Sequence, residues 1–505
     1  MLINKRYINK AIQIALTMLT ASQLAVNQLA FADAPANVLP STDEKSPSFI
    51  GQYADVRPAL IYSAQLSNES LQWLRKLPAQ SSSDANAENL VSPHNANTAT
   101  ADTDPRLLQA EALFAQQDFV ALKPLLASLK QEAPPHLAVL FLSGMLASQE
   151  GDYAKAADAF RAMLTRDPSL IRPRLELALA LQKSGDRQAA KYHYEQALAA
   201  NLPDSVKRNV YQQLGDIRER LPSVRLSVDV VTDSNPKQTT SSHVINIGGL
   251  PYILNDTGSA KSVTGLLVTA DASLPLPSNP SWYAHAYGEA YEYPGRELDL
   301  LYGDASVGKR FDFGQHSVSL ETGVHGSIYQ HKTLYAGILT RSSVFMRPLP
   351  KLALLLDASF KTYDYTSLPY LSGNMISIGI TNIYVPSPSQ RWDFSANMAK
   401  YSADEAAYSY TQPGLSARFV QEWPGGWITG LRLQGLVADY AAPDPFFGET
   451  RHDKEGRVEI DLLNRKLKLW AFSPKLLMGY VKRSSNLDLY SYDRAYLRVG
   501  LSTEF

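Results

Sequence analysis

The side chains in this sequence that could act as acid, base or nucleophile are scattered rather than gathered into a motif. His285 and Glu289 stand four residues apart, and His325 and Ser327 two apart, so in extended chain each pair would share one face. An imidazole beside a carboxylate or hydroxyl begins acid–base or nucleophilic catalysis, yet neither pair has an orienting third group at a defined spacing. Asp229, Asp233 and Asn235 could offer oxygens to calcium but lack the bidentate partner of a calcium loop. There is no Gly-x-Ser-x-Gly, no phosphate-cradling glycine loop and no His-Glu-x-x-His. With no cysteine in 505 residues, a disulfide framework, thiolate metal site, cysteine nucleophile and lipid-bearing cysteine are all excluded. The sequence thus points away from an enzyme and implies no cofactor or metal, and a net charge of -1 gives no electrostatic basis for binding nucleic acid.

The elements that carry these residues are strands. From Val224 onward the hydrophobic period is two: Val224, Leu226, Val228 and Val230 alternate with Arg225, Ser227 and Asp229, and Leu352, Leu354, Leu356 and Phe360 with Lys351, Asp357, Ser359 and Lys361. Charges on one face and bare aliphatics on the other suit a barrel with lipid outside and water inside. Alternating segments are expected near 224–233, 262–273, 281–293, 298–311, 316–329, 333–346, 351–363, 374–385, 391–402, 408–422, 427–440, 456–469, 475–485 and 492–505. These fourteen strands form an outer-membrane β-barrel over 222–505, in which Arg432, Arg457, Glu459 and Asp461 point inward and the last strand pairs with the first. The longest connections, Ser234 to Lys261 and Ala441 to Glu455, follow odd-numbered segments, while those after even ones are short and rich in Pro and Gly. Of 27 tyrosines 20 lie after residue 223, as do five of six tryptophans, as interfacial girdles require. Phe505 closes the final strand and is expected to be the signal read by the barrel-assembly machinery during insertion.

Before the strands the period is 34 residues. Asp118, Asp152 and Asp186 recur at that spacing, as do Phe119 and Tyr153, Pro134 and Pro168, Gly151 and Gly185, Ala156 and Ala190, and Phe160 and Tyr194. This is the helix-turn-helix period of the tetratricopeptide (TPR) repeat, so 104–221 is expected to be a TPR-like α-solenoid ending in a capping helix from Ser205 to Leu221. Its concave groove would present Phe114, Phe141, Met145, Arg172, Leu175, Leu179 and Gln182, an apolar surface suited to an extended polypeptide. Residues 33–103, rich in Ala, Ser, Asn and Pro, are expected to be largely disordered. In 1–32, a positive start at Lys5, Arg6 and Lys10, an apolar stretch and Ala30-Phe31-Ala32 read as a signal peptide. The helical repeats would then lie in the periplasm of a Gram-negative cell.

The order of domains from about Thr103 to Phe505, with Asp233-Ser234-Asn235, Phe472-Ser473-Pro474, Ser485-Asn486, Tyr492 and the closing Phe505, resembles the surface lipoprotein assembly modulators, the translocators of type XI secretion. The resemblance implies an outer-membrane translocon that exports a client protein, either a surface lipoprotein or a soluble haem- or metal-scavenging haemophore. Its partners would be that client, outer-membrane lipid and the barrel-assembly machinery. The rival reading is a polysaccharide exporter, which can also join periplasmic repeats to a barrel; a passive porin leaves the repeats unexplained.

Overall fold

The computed structural model describes residues 104–131, 135–219, 223–242, 244–247, 250–253, 262–276, 279–295, 298–467 and 472–503. The expected signal peptide, the segment 33–103 and Phe505 lie outside them.

The helical part is built from paired helices at the expected period. They are α1 (Pro105–Ala115) with α2 (Phe119–Lys130), α3 (Leu137–Gln149) with α4 (Tyr153–Arg166), and α5 (Ile171–Ser184) with α6 (Arg187–Ala197), followed by α7 (Asp204–Glu219). The repeated aspartates explain the period. Each is the N-cap of the second helix in its pair: Asp118 accepts from the Ala121 amide at 3.1 Å, Asp152 from Lys155 and Asp186 from Ala189, both at 3.2 Å. The residue before each cap turns through positive φ, 59° at Gln117, 78° at Gly151 and 97° at Gly185. Between the helices Gly144 lies under Phe160, where a Cβ would come within 2.7 Å of the ring, and Phe160 meets Phe141 edge-on at 5.8 Å. Leu122, Leu142, Met163, Leu177 and Ile217 continue this core.

The strands close into one antiparallel barrel of fourteen. They are β1 (Ser223–Asp233), β4 (Val263–Leu276), β5 (Asn279–Glu292), β6 (Leu300–Phe313), β7 (His316–Tyr329), β8 (Lys332–Leu349), β9 (Leu352–Tyr365), β10 (Gly373–Ser387), β11 (Gln390–Ala403), β12 (Tyr410–Glu422), β13 (Trp427–Pro443), β14 (Thr450–Asn464), β15 (Phe472–Ser485) and β16 (Tyr492–Thr503). The short strands β2 (Val244–Ile247) and β3 (Leu250–Ile253) form a separate hairpin in the connection from β1 to β4. The last strand pairs with the first, as the alternation predicts, from Val228 with Leu501 to Asp233 with Tyr496. Leu320, Val324, Ile378, Leu433, Ile460 and Val499 stand exposed outside, and Trp282, Trp423 and Trp427 are exposed toward the end where the chain enters from α7, as at a lipid boundary.

Most strand bounds lie within three residues of the sequence reading, and one strand departs further. The twelfth barrel strand is Thr450–Asn464, not 456–469, so the connection before it is 444–449 rather than a long loop. The run Arg451 to Glu455 looks like a solvated loop, yet alternate members turn inward and find partners: Arg451 meets Asp453 at 2.6 Å, and Glu455 meets Arg483 at 2.7 Å. Asp444 shapes the shorter turn by accepting from the amides of Phe446 and Phe447.

Candidate functional site

The sequence-selected catalytic candidates have structural partners. His325 Nε2 is 2.9 Å from the Thr362 carbonyl, and Ser327 donates to Leu301 O at 3.1 Å, so the two do not face each other as base and nucleophile. Glu289 accepts from the Tyr287 hydroxyl, while His285 lies 3.9 Å from both Asp271 and Asp304. Asp233 holds Arg494 at 2.6 Å and the Asn235 amide at 2.9 Å, and Asn235 braces Thr239 and Asp493. Asp233 and Asn235 thus build a strand end, and Asp229 lies within β1 opposite Gly500 of β16. Among the described residues no group of three His, Asp or Glu side chains could hold a metal ion.

The groove candidates divide. Phe114, Phe141, Met145 and Gln182 are buried between helices, Phe114 against Phe119 at 6.0 Å and Gln182 accepting from Tyr194 at 3.1 Å. Arg172, Leu175 and Leu179 are half-buried, with Arg172 reaching Glu176 at 2.6 Å. All three lie on α5, the helix that also carries the structure's most unusual residue.

That residue is Arg174, fully buried although it sits on the apolar stripe with Leu177, Ala178 and Leu181. Its guanidinium crosses to the barrel and meets Glu422 of β12 at 2.8 and 3.2 Å, while also donating to the Pro168 carbonyl at 2.6 Å. Glu422 takes a second guanidinium from Arg465, just beyond β14, at 3.0 and 3.2 Å, and the Tyr192 hydroxyl at 2.6 Å. His193 touches Arg174 at 3.2 Å; burial, helped by Arg465 and Arg174, holds its imidazole neutral well below its ordinary pKa. A second link joins Glu195 of α6 to Arg347 of β8 at 2.7 Å and to Arg391 of β11 at 3.6 Å. Between them Ala199 packs on Ala353, Ile383, Val385 and Phe345, and the Gly425 amide donates to Thr165 O at 2.6 Å. Buried ion pairs contribute little net stability but forbid other registers, because any shift strands a desolvated charge. The helices are therefore seated in one orientation over the arc from β8 to β14, at the end of the barrel where connections are shortest.

Sequence reading missed this junction because its charges lie in six separate segments. One signal was available: an arginine at position 174 on a helix stripe that is otherwise apolar.

Inside the barrel the middle of the lumen is polar. One wall carries hydroxyl pairs, Ser319 with Ser343 and Ser359 with Ser377 at 2.6 Å, and Thr381 with Ser395 at 2.9 Å. The other carries the ion pairs Arg418 with Asp461 and Arg432 with Glu459 at 3.2 Å, while Arg341 of β8 meets Asp304 of β6 at 2.8 Å beside the hydroxyl pairs. Toward the end remote from the helices the lumen fills with aromatic rings. Tyr335, Tyr363, Tyr401, Tyr410 and Tyr440 follow one another at 5.1–5.6 Å, and Arg451 lies over Tyr440 at 4.6 Å and Tyr490 at 3.5 Å. Leu371, Ala407 and Leu487 from the loops above are buried with them, and Tyr401 donates to the Leu371 carbonyl. The far mouth is packed, and inward side chains such as Asp271, Asp304, Ser306 and Arg310 are themselves buried.

A closed barrel with an aliphatic belt, a polar lumen and a helical domain fixed to one rim defines an integral outer-membrane protein. Residues 224–505 match the family model described as surface lipoprotein assembly modifier, and the chain belongs to that family. It is 22% identical over 453 residues to the surface lipoprotein assembly modifier of Pasteurella multocida (strain Pm70), covering 81% of this chain and 87% of that one. It is 23% identical to the protein of the same name in Moraxella catarrhalis, covering 76% of each chain, and to surface lipoprotein assembly modifier 1 of Neisseria meningitidis serogroup B, covering 74% and 77%. Among solved structures it is similar to a bacterial polysaccharide outer membrane secretin (10% identity, 55% of this chain and 98% of that one, TM-score 0.31) and the DcaP channel of Acinetobacter baumannii (8%, 56% and 96%, TM-score 0.35). At those scores the likeness carries no functional argument.

Proposed function

We propose that this chain takes a lipoprotein client in the periplasm and passes it across the outer membrane for display on the cell surface. The helical domain engages the client and the barrel conducts it. The observation that carries this reading is the buried junction: the helical domain is held on the rim of a barrel with a polar lumen by Arg174, Glu422 and Arg465. Short connections mark that rim as periplasmic. On α5 the half-buried Arg172, Leu175 and Leu179 remain as the client-facing surface, while Phe114, Phe141, Met145 and Gln182 set the helix packing beneath it. The family placement supports protein export over polysaccharide export. Deleting residues 104–221 is expected to abolish surface display of a co-expressed lipoprotein client while the barrel still inserts; undiminished display would remove the helices from the mechanism.

A further inference from the structure

On the lipid side of β13, β14 and β15 the aliphatic belt is interrupted toward the end remote from the helices, the extracellular end. Leu431, Ile460 and Met478 stand in one register row across the three strands, and Leu433, Val458 and Tyr480 in the next. Beyond them the row is Gly435, Gly456 and Lys482, and then Val437, Lys454 and Ser484. A Cβ built on Gly435 or on Gly456 would meet nothing within 4 Å, so the paired glycines leave an open depression in the outer wall. Lys482 stands beside Gly456 and Lys454 stands above it. As diagonal neighbours on adjacent strands the two lysines are about 7–8 Å apart at the backbone, near enough for both ammoniums to reach one anion.

Both lysines are exposed, and among the described residues neither has an ion-pair partner. The carboxylates nearby are engaged elsewhere. Asp493, the register partner of Lys482, accepts from the Tyr480 hydroxyl at 2.8 Å, and Asp439 holds His452 at 2.9 Å. Two ammoniums side by side at the edge of the hydrocarbon repel one another, and an anion between them reverses the sign of that interaction. Depth identifies the anion. Lys454 lies four residues inside the extracellular end of β14, and Lys482 three inside that of β15. At ~3.3 Å per residue both sit about 10 Å below the strand ends, at the boundary between headgroups and acyl chains. In the outer leaflet of a Gram-negative cell the lipid at that boundary is a phosphorylated glycolipid, with its phosphates directly above its acyl chains. Cations beside and above a bare depression flanked by Leu433 and Val458 match that order.

We propose that Lys454, Lys482, Gly435 and Gly456 form a seat for lipid A, with a phosphate between the two ammoniums and an acyl chain against the glycines. Charge and shape together hold the glycolipid and fix this wall of the barrel in the outer leaflet. The seat depends on the membrane orientation set by the helical rim, and not on which client the chain carries.

The full chain in detergent micelles is titrated with bis-phosphorylated lipid A, and bound lipid is counted by native mass spectrometry. Lys400 of β11 supplies the control: it too is exposed on the outer face toward the extracellular end, but its register partners are Ile376 and Thr411. Lys454→Gln/Lys482→Gln is expected to weaken lipid A binding about 30-fold, since each lysine at a charged membrane surface contributes about fivefold. Gly456→Leu, which fills the depression and keeps both charges, should also lose the lipid, while Lys400→Gln should bind as the parent does. Heat-modifiable gel mobility checks that each barrel is folded. Parent-level binding by the double-lysine variant or by Gly456→Leu would overturn the seat, as would equal loss in Lys400→Gln. Equal binding of phosphatidylglycerol by the parent would show a general anionic-lipid surface and would overturn it as well.

Discussion

Replacing Glu422 by Gln keeps the shape of the side chain and removes the charge on which the junction converges. In the native protein the carboxylate meets Arg174 at 2.8 and 3.2 Å, Arg465 at 3.0 and 3.2 Å and the Tyr192 hydroxyl at 2.6 Å, and both guanidiniums are almost entirely buried. The amide offers one acceptor in place of two and turns an NH2 group toward a cation. Removing one partner of a buried ion pair costs about 3–5 kcal/mol, chiefly because the remaining charge is stranded. That cost falls on the seated arrangement alone, since both guanidiniums regain water when the helices lift. At about 1.4 kcal/mol per decade, the ratio of lifted to seated domain rises by about 150-fold or more. The barrel ladder is untouched. Spin labels on cysteines placed at Lys155 and Glu405, one on each domain, report the seating as a distance distribution in nanodiscs. A narrow distribution is expected for the parent and a broad one for Glu422→Gln. Narrowing should return in Arg174→Met/Glu422→Leu/Arg465→Met, where no charge remains to be stranded. An unchanged narrow distribution in Glu422→Gln would refute the latch.

Acidification acts on the same junction through His193. Its folded pKa lies below the ordinary value of 6.5, so the seated and lifted forms are equally neutral above pH 6.5, and below it only the lifted form gains a proton. Seating therefore weakens as pH falls, by about 1.4 kcal/mol per unit at most, and the spin-label distances should broaden between pH 7 and 5.5 in the parent but less in His193→Gln. In the helical core Gly144→Val forces the Phe160 ring aside and should destabilise that domain by about 1–3 kcal/mol, measured as lower thermal stability with the barrel's gel mobility unchanged. At the far mouth Tyr363→Ala with Tyr401→Ala should open a water path, seen as increased conductance in planar bilayers; parent-level conductance would show that these rings do not seal the lumen.

The barrel was largely legible in the sequence because a lipid-facing strand must alternate, and that constraint acts on every residue of Leu352–Tyr365 or Gln390–Ala403. The helical repeats were legible because their caps recur: Asp118, Asp152 and Asp186 satisfy the same orphan amides three times. Legibility failed where charge is satisfied at a distance. Arg451 to Glu455 read as loop because their partners Arg483 and Asp453 are inside a barrel, and Arg174 gave no hint of Glu422, which is 248 residues away. Alternation also identified β16 and its partner β1, but not the register of their pairing, which no local pattern encodes.

The most direct measurement is surface exposure of a lipoprotein client co-expressed in a heterologous Gram-negative host with and without the chain, read by antibody on intact cells. Labelling that appears only when the full chain is present, and is lost in Glu422→Gln despite normal barrel abundance, is the expected result. Equal labelling with and without the chain would contradict its role as the exporter.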